Sequence, residues 1–231
     1  WSKPFESAVD ELKYSPDGRY LAAGSHDTII KIFDRDAGYQ CTATCKGASG
    51  TITHVDWSSC GKVLQSNDGA YEILYWDTRT GRQVKQNQRD RDWETFTCIL
   101  GFPVMGIWPD FSDGTDVNAL DRSHNRQYLV TSDDFGLVKL FSYPCVIDDA
   151  PPRAYNGHSS HVTCCRFSCD DMRVVTVGGH DRAVFQWRTH NLAKQDTIKL
   201  PSGECPLEVC KICGPKQVLG AAGAPWAPMD E

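Results

Sequence analysis

Apolar positions in this chain come in short bursts separated by turn residues. Leu12 and Tyr14 precede Ser15-Pro16-Asp17-Gly18, a strong turn signal. Tyr20 to Gly24 forms a second run, Ser25-His26-Asp27 turns the chain, and Ile29 to Phe33 forms a third. Runs of four to six residues, rich in branched and aromatic side chains and bounded by turns, predict strands. A weaker fourth run follows at Gln40–Thr44, and again at Arg82–Lys85, Arg153–Tyr155 and Thr197–Leu200. No segment holds apolar residues at helical spacing for three turns, because Gly or Pro interrupts every ten to fifteen residues.

The bursts recur as a unit. VDELKYSPDGRYLAAGSHDTIIKIFD begins at Val9, ITHVDWSSCGKVLQSNDGAYEILYWD at Ile52, VNALDRSHNRQYLVTSDDFGLVKLFS at Val117 and VTCCRFSCDDMRVVTVGGHDRAVFQWR at Val162. The starts lie 43, 65 and 45 residues apart. A period of about 40–45 residues closing on an aromatic, with Trp76-Asp77 in one copy, predicts WD40-type β-propeller blades. The expected fold is all-β, with about four blades of three strong strands and one weak outer strand, part of a larger seven-bladed or tandem propeller. A β-sandwich would not repeat this order four times. The repeats are expected near residues 9–45, 52–88, 117–157 and 162–200, within a blade region 1–200, followed by a divergent, turn-rich C-terminal tail 201–231. The longest interval implies an insertion at about 86–115. Its centre, Phe96 to Trp108, is too apolar for a disordered linker. It is expected to pack as an extra hairpin or loop over the blades, or to form an exposed partner site.

Composition narrows the function. The chain has 231 residues, 40% of them apolar, and no run near the roughly 20 apolar residues of a membrane helix. It starts without Met, inside a strand pattern, and so reads as an excerpt of a longer protein; no secretory signal opens it. Eleven cysteines, an odd number, argue against a disulfide framework and for buried thiols in the cytoplasm. A net charge of −6 and a pI near 5.6 disfavour nucleic acid and anionic membranes as partners.

Candidate chemistry mostly reduces to structure. His158, Thr176, Asp181 and Trp187 are spaced to form one buried network inside the fourth copy. A Ser/Thr, His and Asp together can mimic a catalytic triad; here Thr176 lies inside a strand, and blade stability is the expected role. Asp27 takes the matching turn in the first copy, where the second and third have Ala70 and Phe135, with Asp134 one residue earlier. Trp76 and Asp77 are counted with the same structural set. The pair Cys210 and Cys213, with only Cys205 and His190 nearby, falls short of a zinc site. The polar run His158 to His161 reads as a loop, and no glycine-rich phosphate loop is present. No catalytic, metal or cofactor-binding residue is expected, and the protein is read as no enzyme.

DWETFTCILGF, GIWPDFSDGTDVNAL, SDDFGLVKLFSYPC, YNGHSSHVT and GGHDRAVFQWR, all between Asp92 and Arg188, are not general blade consensus. Together with AAGSHDTIIKIFDRDAGYQ and LYWDTRTGRQV, they make the stretch Ala8–Arg188 resemble the C-terminal blades of the echinoderm microtubule-associated protein-like family. The resemblance implies a noncatalytic platform that binds tubulin or microtubules and other cytoskeletal proteins, located in the cytoplasm on the microtubule cytoskeleton, without a cofactor. Trp and Arg dominate interface hot spots, so Arg79, Trp93, Phe102 and Trp108 are the candidate partner-binding residues. An alternative rests on the run Trp76-Asp77-Thr78-Arg79. In some WD proteins that resemble substrate receptors of cullin-type ubiquitin ligases, such a run docks the ligase adaptor.

Overall fold

The computed structural model describes residues 5–108 and 116–190, and the backbone of three short strands beyond them. The chain divides into two compact units, the first ending at Phe102 and the second beginning at Pro103.

The first unit holds two antiparallel sheets. One runs β1 (Val9–Tyr14), β2 (Tyr20–Ser25), β3 (Ile29–Asp34) and β4 (Gln40–Lys46), paired in chain order. The other runs β5 (Ile52–Trp57), β6 (Val63–Asp68) and β7 (Ile73–Asp77). Its weak fourth run is reduced to a bridge between Trp76 and Gln83, flanked by Asp77 N–H to Arg82 O and Val84 N–H to Tyr75 O, each 2.8 Å. Alternation puts Ala22, Ile30, Ile32, Ala43 and Cys45 on one face of the first sheet. They pack on Ile52, Val55, Trp57, Leu64 and Trp76 of the second. Gly81 passes under β4 at φ +68°, where a Cβ would sit 2.3 Å from the Thr44 carbonyl oxygen, so glycine is the residue that fits.

The second unit repeats the plan. Its first sheet contains β8 (Val117–Arg122), β9 (Tyr128–Asp133), β10 (Leu137–Ser142) and β11 (Arg153–Asn156). Its second contains β12 (Val162–Phe167), β13 (Arg173–Gly178) and β14 (Val184–Thr189), continued by β15 (Leu207–Lys211), β16 (Gln217–Val218) and β17 (Ala227–Pro228). The expected run Thr197–Leu200 lies outside the described residues; the strand beside β14 is β15. Ala119, Val130, Val138, Leu140 and Tyr155 pack on Cys165, Val174, Phe185 and Trp187 to form the core. These four antiparallel sheets are β-propeller blades, and the fold is all-β of WD40 type.

One irregularity recurs in every sheet. The first strand slips register by one residue at its second position: between Val9 and Glu11, Ile52 and His54, Val117 and Ala119, and Val162 and Cys164. The skipped residues, Asp10, Thr53, Asn118 and Thr163, are all polar. A bulge of this kind raises local twist and bends the strand.

The insertion packs. Trp93, Phe96, Cys98, Ile99, Val104 and Ile107 are buried, while Phe102 and Met105 stay exposed on a 3-10 turn, Phe102–Ile107. Gly106 N–H donates to Cys145 O at 2.9 Å and Cys145 N–H to Pro103 O at 2.8 Å, which fixes most of that turn against the loop after β10. Of the strand cysteines, Cys45 and Cys165 are buried and Cys41 is exposed. Burial pushes the Cys45 thiol up to about 12, so it behaves as an apolar group.

Candidate partner-binding surface

Four polar clusters lock the loops between strands. In the last blade, Trp187 Nε1, Thr176 Oγ1 and His158 Nε2 are linked at 2.8 Å each, and His158 Nδ1 meets Asp181 Oδ2 at 2.8 Å. The two ends of the chain set its direction. Indole N–H can only donate and an ionised carboxylate can only accept. The Thr176 hydroxyl therefore accepts from Trp187 and donates to His158 Nε2, and Nδ1 carries the imidazole proton. Burial lowers the His158 pKa, against the raising pull of Asp181, consistent with a neutral ring. Burial opposes ionisation of Asp181 too, yet the Ala183 amide and His158 hold its carboxyl below the usual range. Thr176 is completely buried, so its hydroxyl faces packed protein rather than solvent.

The other blades reach the same end differently. Asp68, the last residue of β6, accepts the Ser49 and Gly50 amides through Oδ2 (3.1 Å each) and the Ala70 and Glu72 amides through Oδ1. Asp133, the last residue of β9, accepts the Phe135 and Leu137 amides and pairs with Lys139 at 2.9 Å. Sequence reading looked for the organising carboxylate inside the turn, at Ala70 and Phe135, and missed it two residues earlier. The signal was the Asp that closes SND and TSD. Asp27 stands apart: its carboxylate oxygens find no hydrogen-bond donor among the described residues, and Phe5 stands where spacing would place a histidine like His158.

The fourth cluster ties the insertion down. Asp56, in β5 and with no side-chain exposure, accepts from Lys13 Nζ (3.1 Å), Gln65 Nε2 (3.1 Å), Thr95 Oγ1 (2.6 Å), Thr97 N (2.8 Å) and Cys98 N (2.9 Å). Burial alone would raise its pKa. The Lys13 charge and the Thr95, Thr97 and Cys98 donors overcome that and hold the carboxyl far below the ordinary range. No local motif marks this residue, since its partners other than Gln65 lie about 40 residues away on either side.

On this frame the expected contact residues take different places. Trp76 donates to Ser66 Oγ at 2.8 Å and is buried. Asp77 is not part of that bond. Its Oδ1 accepts the Arg79 and Thr80 amides and the Thr80 hydroxyl, forming a turn that holds Arg79 out in solvent. Arg79 and Lys62 line a groove of about 400 Å³; Arg91 lines a second of about 570 Å³, and Cys60 borders both. The Ser58 hydroxyl, the Lys62 amide and the Arg91 charge together lower the Cys60 thiol pKa. Phe102 is 38% exposed, with the Arg89 guanidinium 3.6 Å from its ring centre. Trp93 corrects the expectation of a contact surface there: it is only 3% exposed, bridged to Ser58 and stacked on Tyr75 at 6.0 Å. Its indole is core, with no face left for a partner. Trp108 is half-buried and belongs to the second unit. Among the described residues, no group of three or more His, Cys, Asp or Glu is placed to hold a metal. The side chains of Cys205, Cys210 and Cys213 lie outside the described residues.

A family model described as the echinoderm microtubule-associated protein second beta-propeller matches residues 2–189. Echinoderm microtubule-associated protein-like 3 of Mus musculus is 51% identical over 183 residues, which is 77% of this chain and 20% of that protein. Echinoderm microtubule-associated protein-like 1 of Homo sapiens is 50% identical over 182 residues, 77% of this chain and 22% of that protein. Echinoderm microtubule-associated protein-like 4 of Homo sapiens is 46% identical over 199 residues, 84% of this chain and 20% of that protein. The chain thus spans about a fifth of the length of these curated relatives. Among solved structures, the beta-propeller domain of Myceliophteria_thermophila Cps50 (Swd1) superposes with a TM-score of 0.62 at 14% identity, covering 100% of this chain and 90% of that one. At that identity the likeness speaks to fold alone.

Proposed function

Because this chain belongs to the echinoderm microtubule-associated protein-like family, we propose that it is a noncatalytic platform of a microtubule-associated protein, binding tubulin or microtubules and other cytoskeletal partners in the cytoplasm, on the microtubule cytoskeleton. The observation that carries this reading is the identity of about half of all matched residues with proteins named for microtubule association. The buried clusters suit the role, because each fixes a loop at a blade edge without offering a reactive group to solvent. A rigid loop loses little entropy on docking, which favours binding. Arg79, held out by the Asp77 turn, and Phe102, capped by Arg89, are the contact residues proposed for the first unit; Trp108 is proposed for the second.

The test is size-exclusion chromatography with light scattering on the chain mixed with unpolymerised tubulin, alongside co-pelleting with microtubules. Co-elution or co-pelleting is expected. Arg79→Ala, Phe102→Ala and Trp108→Ala should each weaken it by roughly 1–2 kcal/mol, five- to thirtyfold, at unchanged melting temperature. A folded, monodisperse chain that neither co-elutes nor pellets refutes the reading.

A further inference from the structure

Charge is distributed unevenly along the chain, and one stretch stands out. Residues 79–91 (RTGRQVKQNQRDR) carry five cations against the single carboxylate of Asp90, in a chain whose net charge is −6. Arg79, Arg82, Lys85 and Arg89 are all exposed, and Arg91 is half-buried. Arg82 and Lys85 make no side-chain hydrogen bond or ion pair among the described residues. The neighbouring carboxylate of Asp77 is committed to its own turn. This is a rim of uncompensated positive charge on an otherwise acidic chain.

The rim is also held in shape. Arg82 O and Val84 N bond inward to β7, which makes the segment the outermost element of its sheet. Arg89 is pinned on the Phe102 ring, and the Arg91 guanidinium bonds the Gln88 side chain and lies 3.8 Å from Cys60 Sγ. Beside it run two grooves that meet at Cys60: one is lined by Lys62 and Arg79 against Asp17, the other by Arg91 against Asp90 and Asp92, so only the first adds positive charge to the rim. After the turn at 78–81, residues 82–85 in extended form cover roughly 13 Å, less than a typical strand.

We infer that the rim 79–91 and the adjoining groove lined by Lys62 and Arg79 dock an acidic segment of a partner polypeptide. Charge complementarity selects the sign, and the pinned guanidiniums favour carboxylates, which they can meet in forked geometry. The length selects a short segment over a long polyanion. A nucleic acid would run past the rim onto surface of the opposite charge. The inference does not depend on tubulin being the partner.

The experiment measures fluorescence anisotropy of a labelled Glu-rich peptide, about a dozen residues long, titrated with the whole chain at low and at physiological salt. Wild type should bind at low salt and weaken as salt rises. The double variant Arg82→Glu/Lys85→Glu should bind at least about tenfold more weakly, with far-ultraviolet circular dichroism and melting unchanged, since both side chains are free in solvent. Charge reversal of Lys46 and Arg126, exposed cations elsewhere, should leave binding within about twofold. Equal binding by wild type and the rim variant, equal loss in both variants, or stronger capture of a single-stranded RNA homopolymer than of the peptide would each overturn the inference. Loss of peptide binding with intact microtubule co-pelleting supports it and shows the rim to be separate from the tubulin contact. Loss of co-pelleting with peptide binding intact overturns it and leaves the tubulin reading standing.

Discussion

Replacing Asp56 by Ala should be among the most damaging single changes in the first unit. The substitution removes the one acceptor shared by Lys13, Gln65, Thr95, and the amides of Thr97 and Cys98. Thr97 and Cys98 are 2% and 0% exposed, so water cannot replace the lost oxygens. Each stranded buried donor costs about 1–3 kcal/mol, and the Lys13 ammonium, with 15% of its side chain exposed, loses its buried counter-charge. Breaking a buried ion pair from one side typically costs about 3–5 kcal/mol in total. At about 2–4 °C per kcal/mol for a chain of this size, the midpoint should fall by roughly 6–20 °C. Asp56→Asn keeps the shape and one acceptor and should cost less. Lys13→Met should also be costly, because it leaves the fully buried carboxylate with neutral donors but no counter-charge.

The same residue has a signature in pH. The folded carboxyl is held far below its unfolded value of about 3.9, so its contribution is complete above that pH and fades as pH drops beneath it. The wild-type stability curve should fall more steeply than that of Asp56→Asn in this range, by up to about 1.4 kcal/mol per pH unit. Thermal and urea unfolding across pH measure both effects, and limited proteolysis after Arg89 and Arg91 reports whether the insertion has come loose. A loss below about 1 kcal/mol for Asp56→Ala, or parallel pH curves, would refute the claim that this carboxylate anchors the insertion.

Two further predictions separate core from surface. His158 is neutral with a depressed pKa, so folding releases its proton; stability should be full above about pH 6.5 and decline as pH falls below it, and His158→Gln should flatten that decline in melting curves taken from pH 7.5 to 5. Trp93→Ala should cost about 3–5 kcal/mol in urea unfolding, in contrast with Phe102→Ala, which should leave unfolding nearly unchanged.

What the sequence made legible follows the range of each interaction. Strands are local: the run Tyr20 to Gly24 and its bounding turns announce β2, and the closing aromatics announce β3, β7 and β14. The His158–Thr176–Asp181–Trp187 chain was also visible, because its members sit at fixed offsets within one repeat and meet in space. Asp56 left no such trace. Its partners come from β1, β6 and the insertion, and only the packed sheets bring them together. Trp93 misled for a related reason. Residue type alone nominates it as an anchor, but the bridge to Ser58 places it in the core, 3% exposed. Asp68 and Asp133 are less legible because they act from the strand end, two residues before the turn position that Asp181 holds in the last blade.

The bulge near the start of every blade carries a lesson about which mutations this chain can accept. Along a strand the facing of each side chain depends only on an even or odd count, and the skipped residue resets that count. Asp10, Thr53, Asn118 and Thr163 share no chemistry beyond polarity, so many substitutions should pass there. A deletion of one residue would not. It would turn Ile52, Val117 or Val162, now 0%, 6% and 0% exposed, away from the core and toward water. At these positions the number of residues constrains the fold more than their identity.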